Sequence, residues 1–109
     1  MRRISLIISL ALVVLLLGAT TVYAQNMPAS DSQVTMKNFA FQPGTVTIAK
    51  GGTVTWTNQD SAPHTVSFAG QSSSTIGAGQ TYSKSFSDAG TYDYICNIHP
   101  SMKGQVIVT

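Results

Sequence analysis

The 109-residue chain predicts an all-β fold, a Greek-key β-sandwich of about seven short strands, and three observations carry that expectation. After Ala24 no helix-length stretch repeats its apolar residues with a 3.6-residue period. Ser and Thr supply 22 of the 85 residues beyond that point, a composition that favours strands. Thr53-Val54-Thr55-Trp56-Thr57 alternates strictly, which sets Val54 and Trp56 on one face and the threonines on the other.

In chain order, the first element is a leader. Arg2 and Arg3 precede an apolar run from Ile4 to Leu17, and Val22-Tyr23-Ala24 forms a small-residue exit, the three-part layout of a secretory signal peptide over residues 1–24. The expected destination is therefore periplasmic or extracellular. Ile4 to Ala24 would also be long enough to remain as an uncleaved membrane anchor, although Ser5, Ser9, Gly18, Thr20 and Thr21 dilute it. The adjacent arginines leave a twin-arginine export route open. Residues 25–32 read as a flexible tail and 33–109 as a single domain.

Within that domain, strands are expected over Gln33 to Lys37, Thr45 to Ile48, Thr53 to Thr57, Thr65 to Phe68, Thr81 to Phe86, Thr91 to Ile95 and Lys103 to Val108. Turn residues separate them at Pro43-Gly44, Asp60-Ser61 and Asp88-Ala89-Gly90. Lys50-Gly51-Gly52 is predicted to close a tight antiparallel hairpin between the second and third strands. Ala69 to Gln80, with its three consecutive serines, reads as a loop free to vary. Phe39, Phe41, Trp56, Phe68, Phe86, Tyr92 and Tyr94 are the large residues available to the core, where most of them are expected.

Charge excludes one class of partner. The formal +2 belongs to the two leader arginines. Beyond them Lys37, Lys50, Lys84 and Lys103 balance Asp31, Asp60, Asp88 and Asp93, so no basic cluster remains for phosphates. Nucleic acid is not an expected partner, and neither is a small-molecule substrate.

The single cysteine cannot form an internal disulfide, and an odd thiol in an exported protein calls for an explanation. A buried cysteine acting as a small hydrophobe is the plain one. Its neighbours supply another. Cys96 ends a strand on which Tyr92 and Tyr94 share its face, so its side chain points inward, where an unpaired thiolate is costly and a bound cation favourable. Cys96-Asn97-Ile98-His99-Pro100-Ser101-Met102 places a histidine and a methionine in the loop that follows, and His64 lies upstream in a Pro-His pair. These are a thiolate, two imidazoles and a thioether; soft sulfur ligands beside imidazole select copper, and His₂Cys with a weak axial Met is the ligand set of blue-copper electron-transfer centres.

The chain resembles the small cupredoxins, and within them the amicyanin and plastocyanin branch. The matching stretches are Lys50 to Trp56, Ala62-Pro63-His64-Thr65-Val66, Ala89 to Cys96 and His99 to Gly104, within a likeness from about Val34 to Val108. The ligand loop, with two residues between Cys96 and His99 and two between His99 and Met102, is similar to that of amicyanin. The resemblance implies one type 1 copper ion, with His64, Cys96 and His99 as equatorial ligands and Met102 as the axial one. It implies a non-enzymatic, monomeric carrier of single electrons between a redox-protein donor and acceptor that dock transiently near His99. Ala62, Pro63, Ile98 and Pro100 are the expected docking surround. Thr65 departs from the pattern, since the family commonly has Asn there to brace the ligand loop, and this puts the reduction potential in doubt.

A periplasmic copper carrier or storage protein is the competing function, although such proteins usually offer exposed, exchangeable sulfur. Multicopper oxidases and nitrite reductases need further histidines, and His64 and His99 are the only two here. Zinc is a poor match for a methionine ligand.

Overall fold

The structure, a computed structural model, describes residues 30–109; the leader and most of the expected tail lie outside the described residues. Among the described residues nine short strands run in order: β1 (Asp31–Lys37), β2 (Ala40–Gln42), β3 (Thr45–Ile48), β4 (Thr53–Asn58), β5 (Ser67–Phe68), β6 (Gln71–Ser72), β7 (Thr81–Ser85), β8 (Gly90–Ile95) and β9 (Lys103–Val108). No helix occurs among the described residues, and so none long and apolar enough to cross a membrane. One sheet has the order β2-β1-β4-β7 and the other β3-β9-β8-β5-β6.

Alternation explains why these segments pair as two layers. β4 buries Val54, Trp56 and Asn58 and leaves its threonines only half-covered, while β3 buries Val46 and Ile48 and exposes Thr45 and Thr47. Each strand thus has a single apolar face, and opposing those faces across a sandwich removes both from water. Trp56 sits at the centre, its ring 5.4 Å from that of Tyr94, with Phe68 and Tyr82 on its other sides.

The same physics overturns the expected Lys50-Gly51-Gly52 hairpin. β3 and β4 belong to different sheets: β3 pairs in parallel with β9, and β4 pairs in parallel with β1 and antiparallel with β7. A flat hairpin would have put both apolar faces on the same side with nothing opposite. The glycines instead turn a corner between the sheets. Gly51 has φ +84°, and a Cβ on Gly52 would collide with the Ser30 carbonyl, so both positions require glycine for reasons other than a hairpin.

Smaller differences have local causes. β1 starts at Asp31, where Thr53 N–H donates to the Asp31 carboxylate at 3.0 Å, so two residues assigned to the tail are paired strand. The expected strand Thr65 to Phe68 shrinks to Ser67–Phe68, because Thr65 N–H goes to Cys96 Sγ and Val66 N–H to Ser73 Oγ rather than into a ladder. Ala69 to Gln80 is not a free loop: it contains β6, and Ile76 is buried and exchanges both backbone hydrogen bonds with His64. Phe41, Trp56, Phe86 and Tyr94 are buried, and Phe68 and Tyr92 pack against them, but Phe39 is 52% exposed.

Candidate metal centre

Strand β8 carries Cys96 to the end of the sandwich. Tyr94 and Cys96 both face inward and are buried, as period-two alternation requires. The chain then loops back at once. Ile95 is paired with Lys103, and the seven residues between them are folded on themselves by Cys96 N–H to Met102 O at 3.1 Å and Met102 N–H to His99 O at 2.9 Å. His64 approaches from the β4–β5 connection.

These two segments meet. His64 Nδ1 lies 3.8 Å from Cys96 Sγ, and His99 Nδ1 lies 3.9 Å from it. The three ligand atoms all fall within 4.8 Å of one another. An ion with bonds of about 2.0 Å to nitrogen and 2.3 Å to sulfur at trigonal angles would space a nitrogen from the sulfur by about 3.7 Å. The donor set therefore fits one ion between them. Met102, the fourth candidate, is buried in the same loop.

Electrostatics favours the ligating form of the cysteine. Burial by itself pushes the Cys96 thiol up, but the backbone N–H groups of Thr65 and His99, followed by the rings of His99 and His64, outweigh it and hold the thiol at about 6. The Thr65 bond measures 3.4 Å. Thr65 also contributes the brace that its short side chain put in doubt, because its Oγ1 accepts the N–H of Asn97 at 2.9 Å.

Two residues that fix His64 escape a reading of the sequence. Asp60 Oδ2 accepts from His64 Nε2 at 2.8 Å, and the same carboxylate accepts the N–H of Asn38 at 2.8 Å and of Phe39 at 3.0 Å. With Nε2–H committed to Asp60, the Nδ1 lone pair of His64 is left facing Cys96. The Phe39 N–H, then His64 and the Asn38 N–H hold the Asp60 carboxyl below its ordinary value. Asn58, fully buried, donates to Ala62 O at 2.9 Å and Ile76 O at 3.0 Å and accepts the Asp60 N–H at 2.9 Å, which fixes the turn from Asp60 to His64. The only trace in the sequence is the spacing of Asn58, Asp60 and His64, which is common in any turn.

Asp60 also accounts for the exposed phenylalanine. Asn38 and Phe39 have φ of 54° and 55°, a left-handed conformation unusual for a bulky residue and costing about 1–3 kcal/mol. Two charge-assisted bonds to Asp60 hold it there. Phe39 then stands edge-on to His64 and His99, at 5.6 and 4.9 Å between ring centroids. Ile98 is 43% exposed on the same loop as His99, Pro63 and Pro100 are exposed, and His99 itself is half-buried.

The profile of the Cupredoxin-like domain matches residues 7–108, nearly the whole chain. The chain belongs to the cupredoxin family. This cupredoxin is 43% identical over 91 residues to amicyanin-alpha of Methylorubrum extorquens, covering 77% of this chain and 76% of that protein. It is 36% identical to the plastocyanin of Scenedesmus fuscus over 83 residues, covering 62% and 85% of the two chains. Among solved structures, amicyanin from Paracoccus versutus superposes with a TM-score of 0.69 at 35% identity, over 79% of this chain and 88% of that one. The Cu(I) structure of an amicyanin variant gives 0.71 at 33% identity, over 79% and 89%.

Proposed function

We propose that this cupredoxin is a type 1 copper electron-transfer protein, with His64, Cys96 and His99 as equatorial ligands and Met102 as the axial ligand of one copper ion. It shuttles single electrons between redox-protein partners outside the cytoplasm and is not an enzyme. The observation that carries the reading is the convergence of two imidazole Nδ1 atoms on one buried thiolate at 3.8 and 3.9 Å. Copper, when bound, supplies a one-electron Cu(II)/Cu(I) couple. Asp60 holds the His64 ring, and the paired ends of β8 and β9 hold the loop with the other three residues, so the frame resists the rearrangement that slows electron exchange.

His99 is the ligand that a partner reaches. His64 is fully buried, whereas His99 is half-buried among Phe39, Ile98 and Pro100. A small apolar surround of this kind suits short-lived docking. The carrier and storage reading is the weaker one, because the thiolate is buried and cannot pass a metal to another protein's sulfur directly.

Copper reconstitution tests the assignment. The expected result is an intense visible band from cysteine-to-copper charge transfer together with reversible voltammetry, both lost in Cys96→Ser. A colourless protein that holds only Cu(I) would overturn electron transfer in favour of storage.

A further inference from the structure

We infer that Ser67 and Ser72 are positioning residues of this site, acting through Thr65 on the main chain that follows Cys96; the inference rests on the copper reading above. A ring of hydroxyls ties the ligand loop to the β5–β6 hairpin. The Asn97 N–H donates to Thr65 Oγ1 at 2.9 Å, Thr65 Oγ1 lies 3.2 Å from Ser67 Oγ, and Ser67 Oγ lies 2.7 Å from Ser72 Oγ. Ser72 Oγ–H donates to the Ser73 carbonyl at 3.1 Å, and Asn97 Nδ2 donates to Ser72 Oγ at 3.3 Å. Asn97, the residue after the cysteine, is thus bonded at both ends of the chain.

Proton bookkeeping gives the ring a direction. Each hydroxyl has one proton to donate. Ser72 commits its proton to the Ser73 carbonyl, so Ser67 donates to Ser72 and Thr65 donates to Ser67. That leaves a lone pair of Thr65 Oγ1 facing the Asn97 N–H. Aligned hydroxyl chains strengthen one another, and this one is screened from water at its inner end, where Thr65 and Ser67 are each 7% exposed. Ser67 is itself anchored in the sheet by its pairing with Ile95.

The consequence reaches the sulfur through one residue. Thr65, whose hydroxyl the ring holds, also donates its N–H to Cys96 Sγ at 3.4 Å. Hydrogen bonds to a ligand sulfur favour the more electron-rich thiolate of the reduced site and so raise its reduction potential. Without the Ser67 hydroxyl, the Thr65 proton has no acceptor, its oxygen turns, and the bonds to Asn97 and to the sulfur both loosen.

The test is the reduction potential and visible spectrum of the copper-loaded protein in Ser67→Ala, Ser72→Ala and Ser67→Thr. Ser83→Ala is the control, since Ser83 Oγ makes a similar 2.8 Å bond to Thr55 Oγ1 on the outer face of the other sheet. Ser67→Ala is expected to shift the redox equilibrium about threefold toward the oxidised form, a fall of about 28 mV at 59 mV per tenfold. Ser72→Ala should move it less in the same direction, Ser67→Thr should restore most of the loss, and Ser83→Ala should do nothing. Ser72 is exposed, so its variant decides the matter even if Ser67→Ala fails to fold. A blue parent whose Ser67 and Ser72 variants keep its potential, or a Ser83 variant that moves as far, overturns the inference; a parent with no blue band overturns the copper reading instead.

Discussion

The two segments that meet at the site are built differently. His64 sits on a connection fastened from three directions, by the Asn58 amide beneath it, the Asp60 carboxylate behind its ring and both backbone bonds of Ile76 beside it. The loop from Cys96 to Met102 is fastened mainly by its own backbone and by Thr65, and it presents Ile98 and Pro100 to solvent. One side of the site is a fixed wall and the other an exposed rim. The proposed electron transfer would use both, because rigidity limits rearrangement and a half-exposed His99 would let a partner come close.

The strongest way to separate the two sides is pH, in the metal-free protein. The Cys96 thiol, held at about 6 against an ordinary value of 9.0, has a depressed pKa in the folded state. Its contribution to stability is therefore complete above pH 9, declines as the pH falls from 9 to 6, and is gone below 6. The Asp60 carboxylate is also depressed, but its contribution is lost only as the pH falls below its ordinary 3.8. Denaturation midpoints of the apo-protein are expected to fall between pH 9 and 6, and Cys96→Ser should flatten that slope. A slope that survives the substitution would place the titrating group elsewhere.

Asp60→Ala acts on the fixed wall. Loss of the carboxylate frees the His64 ring and releases the Asn38-Phe39 turn, so copper affinity should drop by about 10–100-fold, the usual effect of removing a ligand's hydrogen-bond partner. Competition against a chelator measures it. An affinity within twofold of the parent would mean that the β4–β5 connection holds His64 without help.

Phe39→Ala acts on the exposed rim and should have the smallest effect. The rate of electron exchange with a redox partner is expected to fall by about fivefold, at the lower end of the effect of trimming an interface aromatic. The reduction potential should stay unchanged, since Phe39 stands edge-on to the two histidine rings and offers the sulfur no hydrogen bond. Stopped-flow kinetics beside voltammetry would show the split, and a shifted potential with an unchanged rate would reverse the assignment.

Local chemistry written along the chain determined most of the strands and singled out the candidate ligands: alternation is a property of neighbours, and Cys96, His99 and Met102 are close in sequence. The direction of the Cys96 side chain followed from Tyr92 and Tyr94 in the same way. Only the tertiary structure decided that β3 and β4 separate into opposite sheets, because the burial of two apolar faces depends on what lies across from them. It alone placed Phe39 outside, through bonds from Asn38 and Phe39 to Asp60, 21 to 22 residues away, that no local pattern encodes. The replacement of the usual Asn by Thr65 looked like a weakness in the sequence. It became a brace once folding brought Asn97, Ser67 and Ser72 within reach of its hydroxyl, since a hydrogen bond needs its partner at about 3 Å and the chain order does not state that distance.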